Sequence, residues 1–230
     1  MTGAGVVHVA CGEAAALLAT APPPAHWLSA TESRRLAPLQ SVQRRESFLA
    51  VRWQARWLLA QAIGGEPAQW ALDAPNDAPP RVLGRPDLLL SVSHSGGLVA
   101  TALAPAGVGI DLEVPRPGRD IGGLRALCCT DSEQALFDGL DADRSAAMFH
   151  ELWTVKESWL KRRGDWLAPS RLQQIDAAPD EQGEIRTWRG PNWHMAVCTD
   201  ASTQILWWTP EPAGARRWSV RVDGAGARPA

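Results

Sequence analysis

From Ser41 to Ile63, Phe48, Leu49, Arg52, Trp53, Arg56 and Trp57 recur at separations of three and four, a helical spacing kept until Gly64 and Gly65. One long helix is predicted there, with Arg44, Arg45, Arg52 and Arg56 expected on its solvated flank. A shorter helix precedes it over "LSATESRRLA", opened by Ser29 and Glu32 in capping-box spacing and closed by Pro38. After a proline-rich loop, residues 66–80, the period changes to two. The runs "DLLLSVSHS", "GLVATALA" and "VGIDLEV", joined by Gly-Gly and Pro-Ala-Gly turns, predict three strands in an antiparallel meander. Beyond Pro115 the helical period returns. "TDSEQALFDGL" opens with Thr130 and Glu133 in a second capping box, and "SAAMFHELWTVKESWLKRRG" predicts a helix ending at Gly164. "GVVHVA" reads as an opening strand, and "HMAVCT" with "TQILWWT" as a second sheet, so helices and strands follow one another twice in an α+β pattern.

Composition narrows the function classes. The chain has 230 residues, 45% hydrophobic and 21% charged, enough for one large domain or two small lobes. Its formal net charge of −2 supplies no whole-chain field for nucleic acid or a membrane surface, so any anion site must be local. The cysteines, Cys11, Cys128, Cys129 and Cys198, form no CxxC pair and point to a reducing compartment. The first residues lack the basic region of a signal peptide, Glu13 interrupts their apolar run, and no segment has the length of a membrane span. A soluble, cytoplasmic protein is expected.

Three short stretches carry candidate chemistry. In "GVGIDLEV", Asp111 and Glu113 occupy alternate positions of a strand-like run, so both leave the same face. Such a pair suits the wet face of an edge strand, a divalent-metal site, or, less well for its spacing, a glycosidase acid/base pair. In "WTVKESWLK", Glu157 and Lys161 are four apart and share a helix face, as a plain salt bridge or as a third carboxylate with ammonium groups, Lys156 and Lys161, for a phosphate ester. In "SVSHSGG", His94 stands between Ser93 and Ser95 before two glycines, as a structural hydrogen-bonder or as part of a phosphate lining.

Taken together and in this order, "SVSHSG", "GVGIDLE" and "WTVKESWLK" resemble the signature motifs of the 4'-phosphopantetheinyl transferase superfamily, in its larger two-lobed Sfp-like class. The similarity spans Arg81 to Leu167. The resemblance implies two similar α/β lobes related by a pseudo-twofold, 1–114 and 115–230, each a small mostly antiparallel sheet packed with helices, with the site between them. It implies transfer of the phosphopantetheine arm of coenzyme A to a serine of a carrier protein, with release of 3',5'-ADP. Asp111, Glu113 and Glu157 would then hold Mg²⁺, with Glu157 also the candidate base. Lys156 and Lys161 would meet the pyrophosphate, and Ser93 and His94 the nucleotide end. Gly84, Arg85 and Pro86 would touch the nucleotide more loosely, and Arg52 and Arg56 would add to its basic pocket. The implied partner is an acidic helical carrier domain, for which Arg116, Arg119 and Arg125 are expected to form the docking edge, and the implied state is a monomer. The chain departs from the family at Trp166, where a glycine is usual before Leu167, and at Cys128 and Cys129, where aromatics are common.

Two other functions stay open on the residues alone. A Mg²⁺-dependent phosphoesterase or nuclease could use the same acids, although Pro115 stands where a D-(D/E)-x-K nuclease needs its lysine, and the near-neutral charge gives little support. A non-catalytic module that binds coenzyme A or a carrier would need no metal ligands.

Overall fold

In the computed structural model, which describes residues 5–75, 78–165 and 169–222, the first half of the chain runs β1 (Val6–Glu13), α1 (Ala14–Ala19), α2 (Ala30–Leu36), α3 (Val42–Ile63), β2 (Leu72–Asp73), β3 (Arg81–Val82), β4 (Leu89–Ser95), β5 (Leu98–Ala104) and β6 (Gly109–Glu113). The second half runs α4 (Ile121–Cys128), α5 (Asp131–Gln134), α6 (Ala142–Arg163), α7 (Pro169–Leu172), β7 (Ile175–Pro179), β8 (Ile185–Arg189), β9 (His194–Cys198), β10 (Gln204–Trp207) and β11 (Arg216–Val222). Trp166 and Leu167 lie outside the described residues.

The fold is α+β, with two antiparallel-rich sheets ordered β10-β1-β5-β4-β3-β2 and β6-β9-β8-β11-β7. Alternation along the strands stacks them back to back. Val7 and Val9 of β1 and Ala100, Ala102 and Ala104 of β5 face Ile110 and Leu112 of β6 and Met195 and Val197 of β9 in one shared core. The opposite faces take helices. α3 covers the first sheet through Leu58 and Leu59 against Ala10 and Leu103, and α6 covers the second through Phe149, Leu152 and Val155 against Ala196 and Cys198. Each fully buried side chain of this size contributes about 1.5–3 kcal/mol.

The meander expected from residues 87–114 is corrected at its third strand. β4 and β5 pair antiparallel from Leu89↔Ala104 to Ser95↔Leu98, but β6 crosses to the second sheet and pairs with β9, Gly109↔Cys198 to Glu113↔His194. The expected pairing of the "HMAVCT" and "TQILWWT" strands is corrected too: β10 returns to the first sheet and runs parallel to β1, Val6↔Gln204 to Val9↔Trp207. Sheet membership therefore does not follow a division at residue 114.

Both capping boxes form, and both do a second job. Glu32 accepts from Ser29 N at 2.9 Å while Ser29 Oγ accepts from Glu32 N at 3.2 Å; Glu133 and Thr130 repeat this at 2.8 and 3.2 Å. Glu32 also binds Arg56 of α3 through two nitrogens, at 2.6 and 3.0 Å, and Glu133 binds Lys156 of α6 at 2.6 Å. The solvated flank expected on α3 is thus wrong for Arg52 and Arg56, which are 7% and 0% exposed, because Glu32 draws their charge inward.

Candidate active site

Asp111 and Glu113 alternate with Ile110 and Leu112 on β6, so the apolar pair enters the shared core and the acids turn toward α6. What lets the helix meet them is Gly109. A Cβ there would stand 1.8 Å from the carbonyl oxygen of Ser158 and 2.7 Å from the nitrogen of Arg162, so α6 rests on bare backbone. Glu157 and Lys161, each one residue before those contact points and one turn apart, reach the β6 carboxylates. Lys161 Nζ lies 2.6 Å from Asp111 Oδ1 and 3.8 Å from Glu157 Oε2. Oxygens of Asp111, Glu113 and Glu157 all come within 4.8 Å of one another.

Three carboxylates so close resist simultaneous ionisation. Burial, then the charge of Asp111, pushes Glu157 up to about 8, and the same two causes raise Glu113 above its usual range. Lys161 is held above its ordinary value: burial opposes its charge, but Asp111, Glu157 and Glu113 outweigh that. Asp111 is 2% exposed; its Oδ1 accepts from Lys161 and from Ser93 Oγ at 2.9 Å, while its buried Oδ2 has no hydrogen-bond partner. An all-oxygen donor set, crowded negative charge and an orphaned carboxylate oxygen fit a hard divalent cation such as Mg²⁺.

The remaining expected residues divide. Ser93 joins the carboxylates: its hydroxyl donates to Asp111 and accepts from Lys161 at 3.2 Å, so its side chain is turned away from a nucleotide pocket. His94, the next residue on β4, points to the opposite side and lines a cleft of about 380 Å³ with Arg52, Arg35, Arg44, Phe48 and Pro80. Arg52 stacks on the Phe48 ring at 3.3 Å. Lys156 is a correction. It is 2% exposed, and its ammonium is fully used by Glu133 and by the carbonyls of Cys128 and Leu172, both at 2.8 Å. Arg56 is likewise consumed, by Glu32 and by the carbonyls of Trp27 and Arg52. Arg85 is half-buried on the turn after β3, forked onto Asp87 at 2.7 and 2.9 Å, and is not among the residues lining the cleft. Sequence reasoning missed Arg35, Arg44 and Phe48; the paired arginines on either side of Pro38 were the available signal. It also missed Ser95, whose hydroxyl donates to Glu113 Oε2 at 3.1 Å.

The class defined by this site is a metal-ready acid cluster held where β6 meets α6, with one ammonium inside it and a cationic cleft across the thickness of one strand. A profile described as the 4'-phosphopantetheinyl transferase superfamily matches residues 107–220. The chain is 31% identical to the 4'-phosphopantetheinyl transferase HetI of Nostoc sp. over 73% of its length and 72% of that protein's. It is 26% identical to a putative 4'-phosphopantetheinyl transferase of Synechocystis sp. over 77% and 82% of the two chains. It is 31% identical to the 4'-phosphopantetheinyl transferase Sfp of Bacillus subtilis over 49% and 55%. The chain belongs to the 4'-phosphopantetheinyl transferase superfamily.

Proposed function

We propose that the protein transfers the 4'-phosphopantetheine arm of coenzyme A to a serine hydroxyl of an apo carrier protein, releasing 3',5'-ADP. Family membership supports the reaction, and the observation that carries the site is the meeting of Asp111, Glu113 and Glu157 beside Lys161. Those three carboxylates would hold Mg²⁺, which supplies charge neutralisation at the pyrophosphate and at the departing 3',5'-ADP. Lys161 stands at the same point, anchored to Asp111, where its ammonium meets a pyrophosphate oxygen. The cleft offers the guanidinium groups of Arg35, Arg44 and Arg52 for the nucleotide phosphates, with His94, its proton affinity lowered by burial and then by the charges of Lys161 and Arg52, as a hydrogen-bonding imidazole beside them. In the reaction the serine oxygen bonds to the phosphorus bearing the pantetheine, the bond to the bridging pyrophosphate oxygen breaks, and the serine proton leaves. Glu157 is the carboxylate assigned to take it, directly or through a water, because it stands beside the β6 acids and Lys161 where the serine must approach.

For the carrier, we assign docking to the segment after β6. Arg116 is exposed and Arg119 stacks 5.3 Å over Trp153. Arg125 is withdrawn from that edge: its guanidinium binds Ser145 and Gln134 and covers the Phe137 ring. Reversing Arg116 and Arg119 to Glu is expected to slow transfer to an acidic carrier and flatten its salt dependence. We place the protein in the cytoplasm as a monomer. Cysteines that are all free, and described helices of which none is long and apolar enough to cross a membrane, support that placement.

The test is intact-mass spectrometry of an apo carrier incubated with the protein, coenzyme A and Mg²⁺, beside a chelated control and Glu157→Gln. A phosphopantetheine-sized gain only with metal and Glu157 present is the expected result. Hydrolysis of coenzyme A without transfer would make the protein a phosphoesterase. Metal-independent binding of coenzyme A with no chemistry on several carriers would make it a binding module.

A further inference from the structure

Along the side of β6 that faces the first sheet, the neighbours are hydroxyls rather than backbone. Ser91, Ser93 and Ser95 alternate on β4, so all three point toward β6. Ser91 Oγ accepts from Ile110 N at 3.0 Å. Ser93 Oγ donates to Asp111 Oδ1 at 2.9 Å, and Ser95 Oγ donates to Glu113 Oε2 at 3.1 Å while accepting from Val114 N at 3.0 Å. An ionised carboxylate can only accept, which fixes the direction of both carboxylate bonds. Gly96 holds the end of this ladder in place. Its φ is +56°, and a Cβ there would meet Val114 at 2.7 Å, so the β4–β5 turn lies flat against the end of β6.

We propose that Ser93 and Ser95 are positioning residues for the two metal-binding carboxylates of β6, so that the first sheet sets the geometry in which ligands carried by the second meet the cation. The asymmetry at Asp111 supports this. Ser93 and Lys161 both bind Oδ1, leaving the buried Oδ2 unpartnered and fixed in direction. At Glu113 the hydroxyl of Ser95 donates to Oε2 and is itself fixed by accepting from Val114 N. Donors behind ligating carboxylates orient them, and removing such a donor typically costs about 10- to 100-fold in metal affinity. The proposal rests on the Mg²⁺ reading of the acid cluster.

The experiment measures Mn²⁺ binding to the protein without coenzyme A, by electron paramagnetic resonance, for wild type and for Ser91→Ala, Ser93→Ala and Ser95→Ala, together with melting curves. Ser91 is the control, because it supports β6 without touching a carboxylate. The expected result is a loss of about 10-fold or more in affinity for Ser93→Ala and Ser95→Ala and less than about threefold for Ser91→Ala, with all three folded. Equal losses in the three variants would overturn the proposal in favour of general support of the strand, and so would wild-type affinity in the Ser93 and Ser95 variants. Ser93→Thr and Ser95→Thr are carried alongside to cover an alanine variant that does not fold. They keep the donor and are expected near wild-type affinity; loss in both would overturn the proposal. A wild-type protein that binds no Mn²⁺ would overturn the metal reading itself, and the proposal with it.

Discussion

Gly109→Ala adds one methyl group at the tightest contact behind the site. Its Cβ would stand 1.8 Å from the Ser158 oxygen, against a floor of 3.0 Å for real Cβ contacts, so α6 must retreat by at least the difference, 1.2 Å. Glu157 and Lys161 precede the two contact residues and travel with them. The 2.6 Å bond from Lys161 to Asp111 would then be strained or broken, and Glu157 drawn away from the β6 acids. A misplacement of about 1 Å can cost ~100-fold in rate. Overpacking costs about 1–3 kcal/mol, which for a chain of this length lowers the melting temperature by roughly 2–12 °C. Initial rates of carrier modification at saturating Mg²⁺, read by intact mass, and differential scanning fluorimetry measure the two effects on one preparation. A Gly109→Ala protein that transfers within threefold of wild type and melts within a degree of it would refute the reasoning.

Glu157→Gln is expected to lower transfer by about 100-fold or more and to raise metal-free stability at pH 7 by roughly 1–3 kcal/mol, because the raised Glu157 pKa of about 8 means the fold binds a proton that the unfolded chain does not. Chemical denaturation should show that gain vanishing below pH 4.5, where both states are protonated; a stability loss at pH 7 would contradict it. Lys156→Ala should leave coenzyme A affinity within a few-fold yet cost about 3–5 kcal/mol in a urea titration, since it abandons Glu133 as a buried unpaired charge. His194 stacks on His150 with ring centroids 5.7 Å apart, and burial, followed by the charge of His150, lowers it to about 4. The unfolded state therefore binds the extra proton, so stability contributed above pH 6.5 is lost as pH falls toward 4, by about 3 kcal/mol at ~1.4 kcal/mol per pKa unit. His194→Gln should flatten that acid limb of a stability-against-pH curve.

Local signals were legible in the sequence, and long-range ones were not. The capping boxes at Ser29 and Thr130 and the helices they open depend on residues three apart, and both formed as their spacing predicts. The D-x-E pair and Glu157 with Lys161 were legible for the same reason: period two and a four-residue step each name one face. Lys156 was misread because adjacency to Glu157 says nothing of its bearing. One residue turns a helix by about 100°, and Glu133, 23 residues upstream, supplied the buried partner. Arg56 and Glu32, 24 residues apart, escaped notice similarly. Strand alternation shows which side chains are buried but not which neighbour a strand chooses, so the exchange of β6 and β10 between sheets could not be read from either strand alone.

The parallel pairing of β10 with β1 joins residues near the two ends of the chain, Val6 with Gln204 and Val9 with Trp207. During synthesis the first sheet has an open border at β1 until Gln204–Trp207 have emerged to pair with it. Its β1 backbone is meanwhile a template for other strands, the usual hazard of an unpaired edge. Closing it brings together contacts of very high sequence separation, whose loop-closure entropy is expected to make this a late step in folding. A fragment ending at residue 114 is expected to aggregate, and co-expression of the remaining 115–230 segment to rescue it into a two-piece enzyme.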